Sequence, residues 1–157
     1  MIKAKIKRNG KDFNKIISSL KELSNNKISV GHFEESGRHT SGYLYPELMS
    51  LWHFGMFEGG IKRSPLMNFS MKVDSGIINK DLDLYIGQWL NNILSDQATT
   101  QLLESVGKVT RDNYKQVFGI VGMFMPPDHD GTPMYETGEL KSTAAYKTTK
   151  TNTVTEG

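Results

Sequence analysis

The sequence predicts one α+β domain: a small, mainly antiparallel sheet covered by an N-terminal helix and two longer central helices. Three observations lead there. Apolar residues recur at helical spacing over 11–25, 74–94 and 97–118, and short strand-prone runs lie before, between and after these stretches. The 157 residues suit one core rather than two, so 1–157 is read as a single domain, without internal repeat or linker.

Taken in order, Ile2, Ala4 and Ile6 alternate with Lys3, Lys5 and Lys7, the pattern of a strand near 2–8 with one wetted face. Its lysines suit an exposed edge. Phe13, Ile16, Ile17, Leu20 and Leu23 form one helical stripe, with Asp12 in the first turn and Asn25-Asn26 at the end. Ile28 and Val30 begin a second strand near 28–33, and the polar, glycine-bearing stretch 34–42 reads as a surface loop. Leu48, Leu51 and Trp52 place a short helix from Tyr45 to Phe54, with Pro46 in its first turn and Gly55 as terminator.

Ile78, Leu82, Tyr85, Trp89 and Ile93 then mark the helix near 74–94, capped by Asp74 or Ser75. Leu102, Val106 and Val109 mark the next, near 97–118, with Asp96 as its cap and Gly107 where a neighbouring backbone approaches closely. A glycine-punctuated apolar run at 119–125 is a third strand, 126–133 is rich in turn residues, and 144–152 is a fourth strand among six threonines. From about 144 the chain has almost no bulky apolar anchors. This extended tail, Tyr146 included, is expected to be mobile in a free subunit and to order by strand addition on another chain.

Composition narrows the function. With 37% hydrophobic residues the chain can offset its conformational entropy, and a net charge of +2 gives no general attraction to nucleic acid. The absence of cysteine removes thiol nucleophiles, thiolate zinc sites and disulfide scaffolds. No apolar run is long enough to span a bilayer, so no membrane partner is expected.

The histidines at 32, 39, 53 and 129 lack the spacing of a metal-binding helix. His32 and His39 flank a loop carrying Glu34 and Glu35, and Asp128-His129-Asp130 reads as a solvated turn between prolines. Neither the nucleophile elbow nor the phosphate-cradling and dinucleotide glycine motifs occur. The expectation is no enzyme, no cofactor and no metal. Acid–base pairs assembled by the fold, such as Glu34 with Asp130, stand outside what spacing decides. Lys3, Lys5, Lys7 and Arg8 form the one dense basic run, a candidate DNA-facing surface that also reads as a protected edge strand.

Three segments together resemble the tail-completion and neck proteins of tailed bacteriophages, a virion-morphogenesis family. They are Leu51-Trp52-His53-Phe54-Gly55, Ile61-Lys62-Arg63-Ser64-Pro65-Leu66-Met67 and Tyr135-Glu136-Thr137-Gly138-Glu139-Leu140-Lys141. In that family such segments close a short helix, form a loop and open the last element, with a pair of long helices between the second and third. Trp52, Ser64 and Leu66 depart from the residues usual there. Each segment also has a plain reading: a helix end at His53, Phe54 and Gly55, a proline loop at Arg63 and Pro65, and a helix cap at Thr137.

The resemblance implies a structural virion protein that acts by geometry. Several copies, most naturally a hexamer, would form a ring that completes the tail or joins it to the head connector, with a channel for DNA. It implies assembly roles for His53, Phe54, Gly55, Arg63, Pro65, Thr137, Gly138 and Leu140. The implied partners are further copies of the chain, the head connector or the tail terminator and tube, and transiently the phage DNA. Assembly would take place in the host cytoplasm and the product would reside in the virion. The alternative is a nucleic-acid-binding module built on the N-terminal lysine strand.

Overall fold

The computed structural model describes residues 10–54, 69–70, 73, 76, 79–118 and 139–156, and of 52–54 the backbone alone. The class is α+β, as the periodicities predict. Helix α1 spans Gly10–Asn25, strand β1 Ile28–Gly31 and helix α2 Tyr45–Phe54, with a 3-10 turn at Glu34–Ser36. Helices α3 and α4 span Asn79–Asn91 and Ala98–Lys115. A short α5, Glu139–Ser142, leads into strands β2, Ala145–Thr148, and β3, Val154–Thr155. The expected strands near 2–8 and 119–125 lie outside the described residues.

The sheet runs β1-β2-β3, antiparallel throughout, with Ile28 opposite Thr148 and Lys147 opposite Val154. Helix α4 lies on β1 and β2, α3 packs on α4, and α1 sits beside them. The α3–α4 pair closes over Trp89, Ala98 and Leu102, with Tyr85, Ile93, Val106 and Leu23 around them. The buried Trp89 indole satisfies its N–H by donating to Thr99 Oγ1 at 3.4 Å. A second cluster joins α2, the end of α4 and α5 through Tyr45, Leu48, Tyr114, Val117, Phe118 and Leu140.

Five expectations are corrected. The segment from 144 is no tail waiting for another chain: β2 is the middle strand of the subunit's own sheet, and Ala144 and Ala145 are fully buried. Its anchors are small buried residues together with one large one, Tyr146. Nor is 144–152 one strand. It breaks after Thr148 into a turn where Asn152 takes a φ of 50°, and its N–H bonds back to Thr148 O at 2.9 Å.

Asp96 does not cap α4. Gln97 occupies that position with no side-chain bond, and Asp96 instead meets Lys15 Nζ of α1 at 2.9 Å. The α1 stripe is also drier in pattern than in fact, since no residue of α1 is buried and Phe13 is 64% exposed. Helix α1 is held largely by polar ties: Lys15 Nζ donates to Leu94 O at 2.7 Å and Ser19 Oγ to Ile93 O at 3.1 Å.

A ring, rather than a neighbouring backbone, fills the space at Gly107. A Cβ there would lie 2.3 Å from Tyr146 Cδ2. Glu104, Gly107 and Arg111 lie at steps of three and four on one face of α4. The Tyr146 hydroxyl donates to Glu104 Oε2, and the Arg111 guanidinium carbon stands 5.6 Å from the ring centroid. This seat fixes β2 to the helix.

Candidate assembly junction

The loop between the 3-10 turn and α2 is built by two glycines with positive φ, Gly37 at 88° and Gly42 at 90°. Gly42 N–H donates to His39 O at 2.8 Å, Arg38 Nη1 donates to Gly42 O at 2.9 Å, and Arg38 bridges to Leu44. Helix α2 then begins with Glu47 accepting from Leu44 N–H at 2.8 Å, half of a capping box. The loop thereby presents His39 and Thr40 toward α5.

Glu139 is the meeting point. Its Oε2 accepts from the Tyr45 hydroxyl at 3.1 Å and from Thr40 N–H at 3.4 Å, and His39 Nε2 stands 3.7 Å away. His39 Nδ1 accepts from Ser41 N–H at 3.1 Å, which puts the ring proton of the neutral imidazole on Nε2, facing the carboxylate. Burial, and then the bond to Glu139, raise the Tyr45 hydroxyl above its ordinary range. One carboxylate thus ties the loop, the first residue of α2 and the first residue of α5 into a rigid corner.

Behind it lies His32. Its ring packs at 5.8 Å from both Tyr114 and Phe118 and at 6.3 Å from Tyr45. Burial drives its pKa from 6.5 down to about 4, against a raising bond to Thr143 and with a smaller push from Lys115. His32 Nε2, Tyr114 hydroxyl and Ser36 Oγ are buried without hydrogen-bond partners among the described residues. Burial likewise pushes the Tyr114 hydroxyl up. The neutral imidazole serves here as an aromatic packing group.

The sequence-predicted residues divide accordingly. His53 and Phe54 close α2, and an earlier part of the same helix, Tyr45, Leu48 and Met49, shares one core with Leu140 of α5. Leu140 and Tyr146, expected at an interface, are 4% and 5% exposed and belong to the subunit's own interior, which corrects that expectation. Gly55, Arg63, Pro65, Thr137 and Gly138 lie outside the described residues, as do Lys3, Lys5, Lys7, Arg8, His129 and Asp130. His32 lines one open pocket with Glu34 and Glu35, but His39 does not join it, and no three of these groups are placed to hold a metal ion. Glu35 instead accepts from Lys147 Nζ at 2.9 Å, which holds its carboxyl below the ordinary range.

Sequence reasoning missed Glu139 as a junction, because its partner Tyr45 is 94 residues away and no local pattern links them. The burial of His32 did have a signal. Ile28 and Val30 alternate on β1 and His32 follows two residues on, so the period that half-buries Val30 carries on to a half-buried His32. Among the described residues no group of three or more His, Asp or Glu is placed to hold a metal ion, and no helix is long and apolar enough to cross a membrane. No family model, curated protein or solved structure matches the chain, so its own residues carry the functional reading.

Proposed function

We propose that this chain is a structural protein of the neck or tail end of a tailed phage, several copies of which form a ring around the path of the DNA. The observation that supports it is the α2–α5 corner. The third segment that resembles the neck and tail-completion family lies against α2, the helix whose last turn carries the first: Tyr45 and Leu48, upstream of that segment, pack with Leu140, and Tyr45 donates to Glu139. The near-neutral charge of +2 suits a ring through which DNA slides without strong counterion-releasing contacts.

A ring of closed heterologous contacts, six-fold in the tails of that family, gives each subunit different surfaces on its two sides. The head connector and the tail terminator or tube are the flanking partners in this reading. Mass spectrometry and averaged electron-microscope images of purified virions test it. Several copies at the neck or tail end are expected, and a single copy or none ends the proposal. The nucleic-acid alternative has its own mark, duplex binding that weakens steeply with salt.

A further inference from the structure

Two apolar helix stripes remain uncovered. On α1, Phe13, Ile17 and Leu20 are all more than a third exposed, and on α3 so are Ile86 and Leu90, with Leu84 exposed on another face of that helix. Stripes of this kind on a soluble surface mark contacts. Among the described residues they do not meet within one chain. Lys15 and Ser19 of α1 touch the carbonyls of Leu94 and Ile93 just beyond α3, and at about 100° per residue Ile17 lies about 160° around the helix from both.

Charge and spacing match the stripes to each other across two chains. Lys21 extends the α1 stripe one turn beyond Ile17, and Asp83 extends the α3 stripe one turn before Ile86; both are exposed. Laid antiparallel, Phe13 meets Leu90, Ile17 meets Ile86 and Lys21 meets Asp83. The α1 set spans about 12 Å and the α3 set about 10.5 Å, so one register satisfies all three pairs.

We infer that the α1 stripe of one subunit docks antiparallel on the α3 stripe of a second copy of this chain. The contact uses a different face on each partner, and so can repeat from subunit to subunit. This rests on the ring reading and names the surface through which the ring closes.

Because the chain has no cysteine, site-specific cross-linking tests the contact directly. Phe13 and Leu90 are exposed, so Phe13→Cys and Leu90→Cys leave the core intact. Mixed and mildly oxidised, the two full-length variants are expected to give a covalent dimer, while neither alone gives more than a pair of cysteines at Ser24. The double variant is expected to give a ladder of multimers. Lys21→Glu should lower the mixed dimer about tenfold, and Asp83→Lys in the partner should restore it. A mixed dimer no stronger than the Ser24 control overturns the inference. So does dimerisation of Phe13→Cys alone, or an intrachain bond in the double variant. If virions hold several copies but the same pair fails to cross-link in them, this surface is wrong and the ring stands; a single copy removes both.

Discussion

At the scale of single residues, the seat of Tyr146 and the burial of His32 make opposite demands on substitution. Alanine at 107 gains about 1 kcal/mol of helix propensity. The Cβ would nevertheless fall 2.3 Å from the Tyr146 ring, and overpacking of that kind costs about 1–3 kcal/mol, so Gly107→Ala is expected to lower the urea midpoint. Tyr146→Phe keeps the ring and loses the bond to Glu104, a milder loss of about 1 kcal/mol in the same measurement. His32 gives the fold an acid limit. The unfolded imidazole titrates near 6.5 and the folded one at about 4, so between those values the unfolded chain binds a proton that the native chain refuses. Its stabilising effect is complete above about pH 6.5 and is lost as pH falls toward 4, by up to about 3 kcal/mol. In urea titrations at pH 7 and pH 4.5, His32→Phe is expected to lose less stability on acidification than the parent chain; an equal loss would assign the acid sensitivity to carboxylates.

At the scale of elements, what was legible followed burial by bulky residues at a fixed period. Helix α3 could be read from Tyr85, Trp89 and Ile93 because those side chains do face α4. A strand near β2 was legible, but its burial within the chain's own sheet was not, for the converse reason. Ala144, Ala145 and Thr148 bury completely or nearly so while carrying little hydrophobic weight in a pattern, and Tyr146 seemed isolated because its seat, Gly107, has no side chain to announce it. The polar tie of Lys15 to the α3–α4 turn was hidden likewise, since a lysine in a helix normally reads as a wetted position. The amides of 145–148 are therefore expected to exchange slowly in the free subunit, near the rate of global unfolding. Rapid exchange there would return the segment to the role of a mobile arm. At the α2–α5 corner, Glu139→Gln keeps the size of the side chain but loses the negative charge that accepts from the Tyr45 hydroxyl and Thr40 N–H. A loss of about 1–2 kcal/mol is expected in the same urea assay.

At the scale of the whole molecule, the sheet joins the two ends of the described chain. Lys27 N–H bonds to Thr149 Oγ1 across 122 residues, beside the β1–β2 ladder. A chain ending at residue 143 would lack the middle strand and the ring that covers Gly107, and is expected to show no cooperative unfolding by circular dichroism; a sharp transition would mean that the helices hold a core without the sheet. The closure entropy of so long a loop grows only logarithmically with length, but its timing does not. At about 5–20 residues per second, a ribosome needs on the order of ten seconds to pass from β1 to β2. Throughout that interval β1 has no β2 to pair with, whatever helices have formed around it. Synthesis of 145–148 thus becomes a condition for having this sheet, and a polypeptide released before those residues is left with a β1 that has no middle strand beside it.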